Sequence, residues 1–141
     1  MPDADAVVRY LKDTFTNPNI TYLCDAAATR KGIINAFRSL RDNTNIQRDD
    51  AIFIYYAGHG ARIEKPPEWD HWVSHESHIE LLCPSDMRDG PKESLICGIP
   101  DRTVAVLLNE LSAKHGDNIV SYTIVSKSDY IMPLFYSDAH S

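Results

Sequence analysis

The amino-acid sequence predicts an α/β domain with three layers, α/β/α, around a mostly parallel central sheet. Helical and strand patterns alternate along the chain in the order α-β-α-β-loop-β-α-β. The segment 51–56, AIFIYY, is apolar on both faces, which is typical of a strand in the centre of a sheet covered by helices. The 141 residues, 43% of them hydrophobic, are enough for one domain with a real core.

The first elements follow from local patterns. Apolar residues at helical spacing predict a first helix over residues 3–15, and the turn residues 17–19, Asn-Pro-Asn, end it. Residues 20–24, ITYLC, predict a short buried strand. Thr29 is a predicted N-cap of a second helix. The apolar face of that helix carries Ile33, Ile34, Phe37 and Leu40.

The later elements are predicted in the same way. A long polar loop is expected from residue 58 to residue 77, followed by the strand HIELLC, which Pro84 closes. Asp101 is the predicted N-cap of a third helix, which Gly116 ends, and another strand is expected from Asn118. The inward face of the third helix carries Val104, Leu107, Leu108 and Leu111. Because the chain opens directly on a helix, the fold is expected to be incomplete at its start.

Charge and cysteine content narrow the function classes. The formal net charge of −6 argues against a nucleic-acid partner, because phosphate binding needs positive charge. Three cysteines without a CxxC motif favour a reducing compartment. No apolar run approaches the length of a membrane span, so we expect a cytoplasmic protein without a membrane partner.

A histidine between two glycines is the most distinctive feature of the sequence. In AIFIYYAGHGAR, residues 51–62, a run of β-forming residues leads directly into Gly58-His59-Gly60. Sites in parallel sheets form where strands end, and the glycines would let the backbone turn sharply and let a substrate approach. The alternative is a surface turn that happens to contain a histidine.

These residues resemble the histidine motif of caspase-like cysteine peptidases, particularly the metacaspase and fungal caspase group. Four other segments, DADAVVRYL, ATRKGIINAFRSL, HIELLCPSD and GIPDRTVAVLLNEL, are similar to the helices and strand that flank this motif. The resemblance covers residues 3–119. It implies a partial caspase-like catalytic domain over residues 1–119, incomplete at both ends, and a divergent tail over residues 120–141. Because Val120-Ser121 can be encoded by a splice-donor consensus, the tail is hypothesised to be intron read-through.

The resemblance implies a cysteine-type endopeptidase, which acts in proteolysis and in regulated cell death. His59 would be the general acid/base that pairs with a cysteine on the following strand and assists its attack on a peptide carbonyl. The backbone N–H of Gly60 would be an oxyanion donor. The implied partners are peptide or protein substrates, together with regulatory domains in a full-length parent.

The family's nucleophilic cysteine is missing from this chain. Ungapped counting places Ser126 near the cysteine position, Ile124 at the neighbouring acidic position and Lys127 at a neighbouring histidine position. Cys24 and Cys97 lie outside the motif, and Cys83 lies in the HIELLC strand. Ser126 is a candidate serine nucleophile, but a hydroxyl is much harder to deprotonate than a thiol, and coincidence is the preferred interpretation. The chain is therefore predicted to be inactive as it stands.

Three functional hypotheses remain open at this point. The parent protein is an active cysteine endopeptidase, or the chain is a catalytically dead pseudo-peptidase or binding module, or it is an inert truncated fragment. Asp3 matches an acidic position that lines a pocket for Arg or Lys in the metacaspase group, whereas the pocket serine is replaced by Ala57. Asp3 is equally well explained as an acid in the first turn of a helix.

Metal sites are not expected. Some family members bind calcium, and Asp101 matches one such position, but its acidic neighbour is replaced by Arg102. The loop acids Glu64, Glu68 and Asp70 are too sparse for an ion that needs six or more oxygens. His71, His75 and His78 could bind zinc, but their spacing is not a known signature, and a solvated loop is preferred. Trp69 and Trp72 are expected to pack this loop down.

Overall fold

The computed structural model describes residues 2–65, 77–88 and 96–131. The helices are α1 (Pro2–Thr14), α2 (Arg30–Asp42) and α3 (Asp101–His115), and the strands are β1 (Ile52–Glu64), β2 (His78–Cys83), β3 (Ile99–Pro100) and β4 (Ile119–Ile131). A 3-10 turn over Asp25–Ala27 precedes α2. The chain is therefore a mixed α/β domain, as its sequence predicts. None of the helices described is long and apolar enough to cross a membrane.

The four strands form one mixed sheet in the order β3-β2-β1-β4. β1 and β4 are parallel, whereas β2 runs antiparallel to both β1 and β3. The prediction of a mostly parallel sheet is therefore wrong for the strands described. The reason is that β2 pairs directly with β1, the strand before it in the chain, and runs back along it. α3 lies on the crossover that a parallel β1–β4 pair requires.

Helices lie on both faces of the β1–β4 pair. α1 lines an apolar groove of about 520 Å³ together with Phe53 and Val120, which are register partners on one face. Ile119 and Ser121 point to the other face, where they line a smaller cavity with α3. α3 also packs against α2 and against β2 and β3. The two most buried large side chains, Ile99 and Leu111, lie in this second layer, each 0% exposed.

The helix ends agree with the sequence at two of three predicted positions. The hydroxyl oxygen of Thr29 accepts a hydrogen bond from the Gly32 N–H at 2.9 Å, which confirms Thr29 as the N-cap of α2. Gly116 ends α3 with φ +90°. Asp101 is not the N-cap of α3. Pro100 holds that position, and Asp101 is the first helical residue, where its carboxylate accepts from the Arg102 N–H.

The predicted strand over residues 20–24 is wrong. These residues have no place in the sheet, and the side chain of Tyr22 is 40% exposed. Its hydroxyl instead donates a hydrogen bond to the Asp5 carboxylate on α1 at 2.8 Å. The β-forming residues of ITYLC therefore sit in a connection, because a strand needs a ladder partner as well as a suitable composition.

The end of α3 is tied to the end of α2 by a buried histidine. His115 is 3% exposed, and its Nε2 lies 3.0 Å from the Leu40 carbonyl and 2.9 Å from the Arg41 carbonyl. These carbonyls belong to the last turn of α2, where the Leu40 carbonyl also accepts from the Asn43 N–H at 3.3 Å and the usual helical donors run out. His115 therefore satisfies the end of one helix with a side chain from another.

The corner after α3, residues 116–118, sets which residues of β4 pair with which residues of β1. The Asp49 N–H donates to the His115 carbonyl at 2.7 Å, and the Ile52 N–H donates to the Asn118 carbonyl at 3.0 Å. These bonds place the first residues of β1 and β4 side by side. A shift of one residue would turn every later side chain of β4 to the opposite face, so this corner fixes what lies beside His59.

Candidate active site

His59 lies inside β1, and not in a loop after it. β1 continues to Glu64, so the first part of the predicted loop is a strand instead. Neither Gly58 nor Gly60 has a positive φ, which means that they make no sharp turn. Both have crowded surroundings: a Cβ on Gly58 would lie 2.7 Å from the Tyr56 hydroxyl, and one on Gly60 would lie 3.2 Å from Val125. The glycines permit close packing around the histidine.

The parallel pairing of β1 and β4 brings Ser126 to His59. The two residues are register partners, and Ser126 Oγ lies 2.9 Å from His59 Nδ1, which is hydrogen-bond distance. Ser126 Oγ also lies 3.5 Å from the Gly58 carbonyl. Both residues are exposed to solvent. The residue that counting places near the family's cysteine position therefore contacts His59, for which the resemblance implies the acid/base role.

The immediate surroundings of this pair are apolar. Ala57 and Ile124 are register partners on the same face, two residues before His59 and Ser126. Ile124, which ungapped counting places at the acidic position of the resemblance, is 44% exposed. An imidazole at hydrogen-bond distance can accept a proton from a neighbouring group or return it, and the neighbouring group on β4 is the Ser126 hydroxyl.

A cysteine lies on the other side of His59. Cys83 on β2 is the antiparallel register partner of His59, so both side chains leave the sheet on the same face. Burial raises the pKa of the Cys83 thiol. Among the described residues no hydrogen bond joins this thiol to the imidazole. The sequence did not reveal this neighbour, because the register of β2 depends on how the chain returns after β1.

Tyr56 supports the backbone on both sides of the site. Its hydroxyl lies 3.1 Å from the His59 carbonyl and 3.1 Å from the Cys83 carbonyl, and it donates its proton to these two acceptors. Burial, more than the nearby Cys83 thiol, raises the pKa of Tyr56 above its usual value of 10.0. The sequence predicts Tyr56 only as a strand residue, since nothing in the pattern indicates where its hydroxyl lies.

We expect Tyr56→Phe to lower the free energy of unfolding by about 1 kcal/mol, the net value of a typical hydrogen bond. The variant should also change the response to alkali. A tyrosine whose pKa is raised in the folded state stabilises the protein fully below pH 10.0, and this stability is lost as the pH rises through the folded pKa. Urea unfolding at neutral and alkaline pH should therefore show a smaller alkaline loss for Tyr56→Phe. Tyr55→Phe, the same change on the opposite face, is the matched control. An equal alkaline loss of stability in both variants would show that the Tyr56 hydroxyl is not its source.

Gly60 stays a predicted oxyanion donor. It is paired on both sides, with Leu82 on β2 and with Lys127 on β4. The register with β4 shifts between Gly60 and Arg62. This irregularity lies directly beside His59 in the chain. Bulges of this kind bend a strand and redirect its backbone groups.

Asp3 lies apart from the His59–Ser126 pair. It is an exposed residue in the first turn of α1, together with Asp5. The structure joins its carboxylate to neither His59 nor Ser126. The position near the positive end of the helix macrodipole matches the alternative role of a first-turn acid. Its role in a pocket for basic residues stays a prediction.

The residues considered for metals are only partly described. Glu68, Asp70, His71, His75, Trp69 and Trp72 lie outside the described residues. Glu64 ends β1, and His78 opens β2, where its Nδ1 lies 2.9 Å from the Ser77 hydroxyl. Within residues 2–65, 77–88 and 96–131, no group of three or more His, Cys, Asp or Glu could hold a metal ion.

Comparisons with family models, with curated proteins and with solved structures give no match for this chain. The similarity to caspase-like peptidases is therefore a prediction that rests on the motifs of the sequence.

Proposed function

We propose that this chain is the histidine-bearing part of a caspase-like cysteine endopeptidase domain, with His59 as the general acid/base. The observation that carries the proposal is the 2.9 Å contact between His59 Nδ1 and Ser126 Oγ. In a peptidase of this class, a thiolate attacks the peptide carbonyl, the oxyanion is held by backbone N–H groups, and the imidazole protonates the leaving amine. Counting along the resemblance places Ser126 near the position of that thiol, and Gly60 is the proposed oxyanion donor.

A specific observation favours binding without cleavage in the chain as it is. Ser126 provides a hydroxyl beside His59, and Ile124 provides no carboxylate to assist it. A hydroxyl is far less acidic than a thiol and needs a stronger activating system. The chain would then act as a pseudo-peptidase that holds an extended peptide. Asp3 is proposed to favour a basic residue in that peptide, and no cofactor is needed.

The three cysteines fit a cytoplasmic location for this activity. Cys24, Cys83 and Cys97 are all free thiols. Free thiols persist where glutathione and thioredoxin keep them reduced.

The proposal is tested by placing a thiol beside the histidine. In Ser126→Cys, an imidazolium at hydrogen-bond distance should lower the pKa of the new thiol from its usual value of about 8.5 by at least about one unit. At neutral pH we expect iodoacetamide to alkylate Cys at position 126 about tenfold faster than an ordinary exposed thiol. Peptide mapping by mass spectrometry, from about pH 5 to about pH 9, separates this thiol from the three native ones.

Ile124→Cys is the matched control. It lies on the same strand and the same face, is also exposed, and has Ala57 in place of His59 as its register partner. Its thiol should titrate like a free cysteine. Equal alkylation profiles for the two variants would show that His59 does not act on the residue at position 126, and the proposed function would then fail.

A further inference from the structure

β4 presents an edge with which no other described strand pairs. The Ile52 N–H on β1 donates to the Asn118 carbonyl at the start of β4. In a parallel ladder, every second residue of a strand directs its backbone N–H and C=O groups to the same neighbouring strand. Residues 120, 122 and 124 therefore face β1. Ser121, Thr123 and Val125 direct their backbone N–H and C=O groups outward, where they can pair with another strand.

The side chains along this edge favour pairing with another strand. The segment 119–125, IVSYTIV, consists of residues that suit strands and contains no charge, proline or glycine. Several of its large side chains are exposed: Val120 by 55%, Tyr122 by 56%, Ile124 by 44% and Val125 by 38%. Natural edge strands are usually protected by lysine, proline or a short length; residues 119–125 have none of these protections, and the first lysine of β4 is Lys127.

The opposite edge of the sheet cannot continue such pairing. β3 has only two residues, Ile99 and Pro100, and proline lacks the N–H that a ladder needs. A second copy that added to β4 would therefore find no equally long edge at β3. Association through β4 alone is self-complementary and closes after two copies.

We propose that two copies of this chain form a two-fold symmetric dimer by antiparallel pairing of their β4 strands, centred on Thr123. In this register Thr123 lies opposite Thr123 of the partner subunit, and Ser121 lies opposite Val125 of the partner subunit. Tyr122 lies opposite Ile124 of the partner subunit. Aromatic and β-branched residues are a favourable cross-strand pair, and Thr–Thr pairs are favourable as well.

The occupant is a second copy because the segment carries no charge that a like strand would repel. In this register residues 121–125 of each subunit meet the same uncharged residues of the other, and Ile119 lies opposite Lys127 of the partner subunit, so no two like charges face each other within residues 119–127. The apolar face that holds Tyr122 and Ile124 becomes continuous across the two sheets. The inference is independent of the proposed peptidase function, since it uses the outer edge of β4 and not the His59–Ser126 contact.

The test is sedimentation equilibrium of the full chain from about 1 µM to about 100 µM, a range in which modest interfaces dissociate. We expect the wild-type mass to rise with concentration to twice that of one chain and no further. In Thr123→Lys two positive charges meet at the two-fold axis, so the dissociation constant should rise at least about tenfold. Val106→Lys adds the same charge at an exposed apolar residue of α3, 53% exposed, and should not change the dissociation constant.

Three results would overturn the proposal. A wild-type chain that stays monomeric throughout would show that the edge is covered by the chain itself or does not pair. A mass that keeps rising beyond two chains would contradict a closed dimer. A dissociation constant that rises as much in Val106→Lys as in Thr123→Lys would show a nonspecific effect of the added charge. Thermal melts confirm that the variants fold. If Thr123→Lys does not fold, Thr123→Pro takes its place, because proline removes the outward N–H with which residue 123 would pair.

Discussion

We expect Ser126→Cys to hydrolyse the p-nitrophenyl ester of an Nα-blocked lysine at least about a hundredfold faster than the wild-type chain. The thiol loses its proton to His59, the thiolate attacks the acyl carbon, and nitrophenolate leaves. Water then cleaves the thioester, which returns the free thiol. Because nitrophenolate needs no proton to leave, the assay isolates the activation of the nucleophile, and release of nitrophenolate is followed by absorbance.

The controls distinguish the effect of a thiol beside His59 from the effect of any exposed thiol. His59→Ala combined with Ser126→Cys keeps the thiol and removes the base, so its rate should fall to that of Ile124→Cys. A blocked aspartate ester should react more slowly than the lysine ester if Asp3 favours basic residues. Ester hydrolysis that is equally fast in Ser126→Cys and Ile124→Cys would mean that any exposed thiol suffices, and would count against an acid/base role for His59.

Gly116→Ala is expected to lower the free energy of unfolding by about 3 kcal/mol, which corresponds to a fall in melting temperature of about 10 °C. At φ +90° and ψ −177° the backbone of Gly116 occupies a region open essentially to glycine alone. An added Cβ would also collide with the carboxylate of Asp49. Chemical denaturation followed by circular dichroism measures the loss.

A second substitution divides this loss into its two causes. Asp49 has φ +69°, so Asp49→Gly relieves a positive φ and removes the colliding carboxylate. In the background of Asp49→Gly, the cost of Gly116→Ala should shrink to the backbone part alone. If Gly116→Ala costs nothing in either background, the corner after α3 is more pliable than its dihedral angles indicate.

The helices could be predicted because their signals are local. Apolar spacing, Thr29 and Gly116 lie within a few residues of the structure that they determine, and α1, α2 and α3 appear where the pattern places them. Strand pairing is a property of distant partners. ITYLC has the composition of a strand but no neighbour, and HIELLC is a strand whose antiparallel direction nothing in its own residues indicates.

The site could be predicted only in part, because it too depends on pairing between distant strands. His59 is marked by its glycines, although the expected turn is a continuous strand. Counting along the resemblance indicates Ser126, and Ser126 contacts His59 in the structure. Cys83 and Tyr56 were missed, because their positions beside His59 depend on the register of β2 and on a side chain that crosses between strands.

The parallel pairing of β1 and β4 also has a consequence for the order of folding. His59 and Ser126 are 67 residues apart in the chain, and β2, β3 and α3 lie between their strands. Closing so long a loop costs entropy before any contact offsets it, so non-local pairs form slowly, whereas the helices form within microseconds. The histidine and the serine should therefore meet late in folding, and their proximity would report the completion of the sheet.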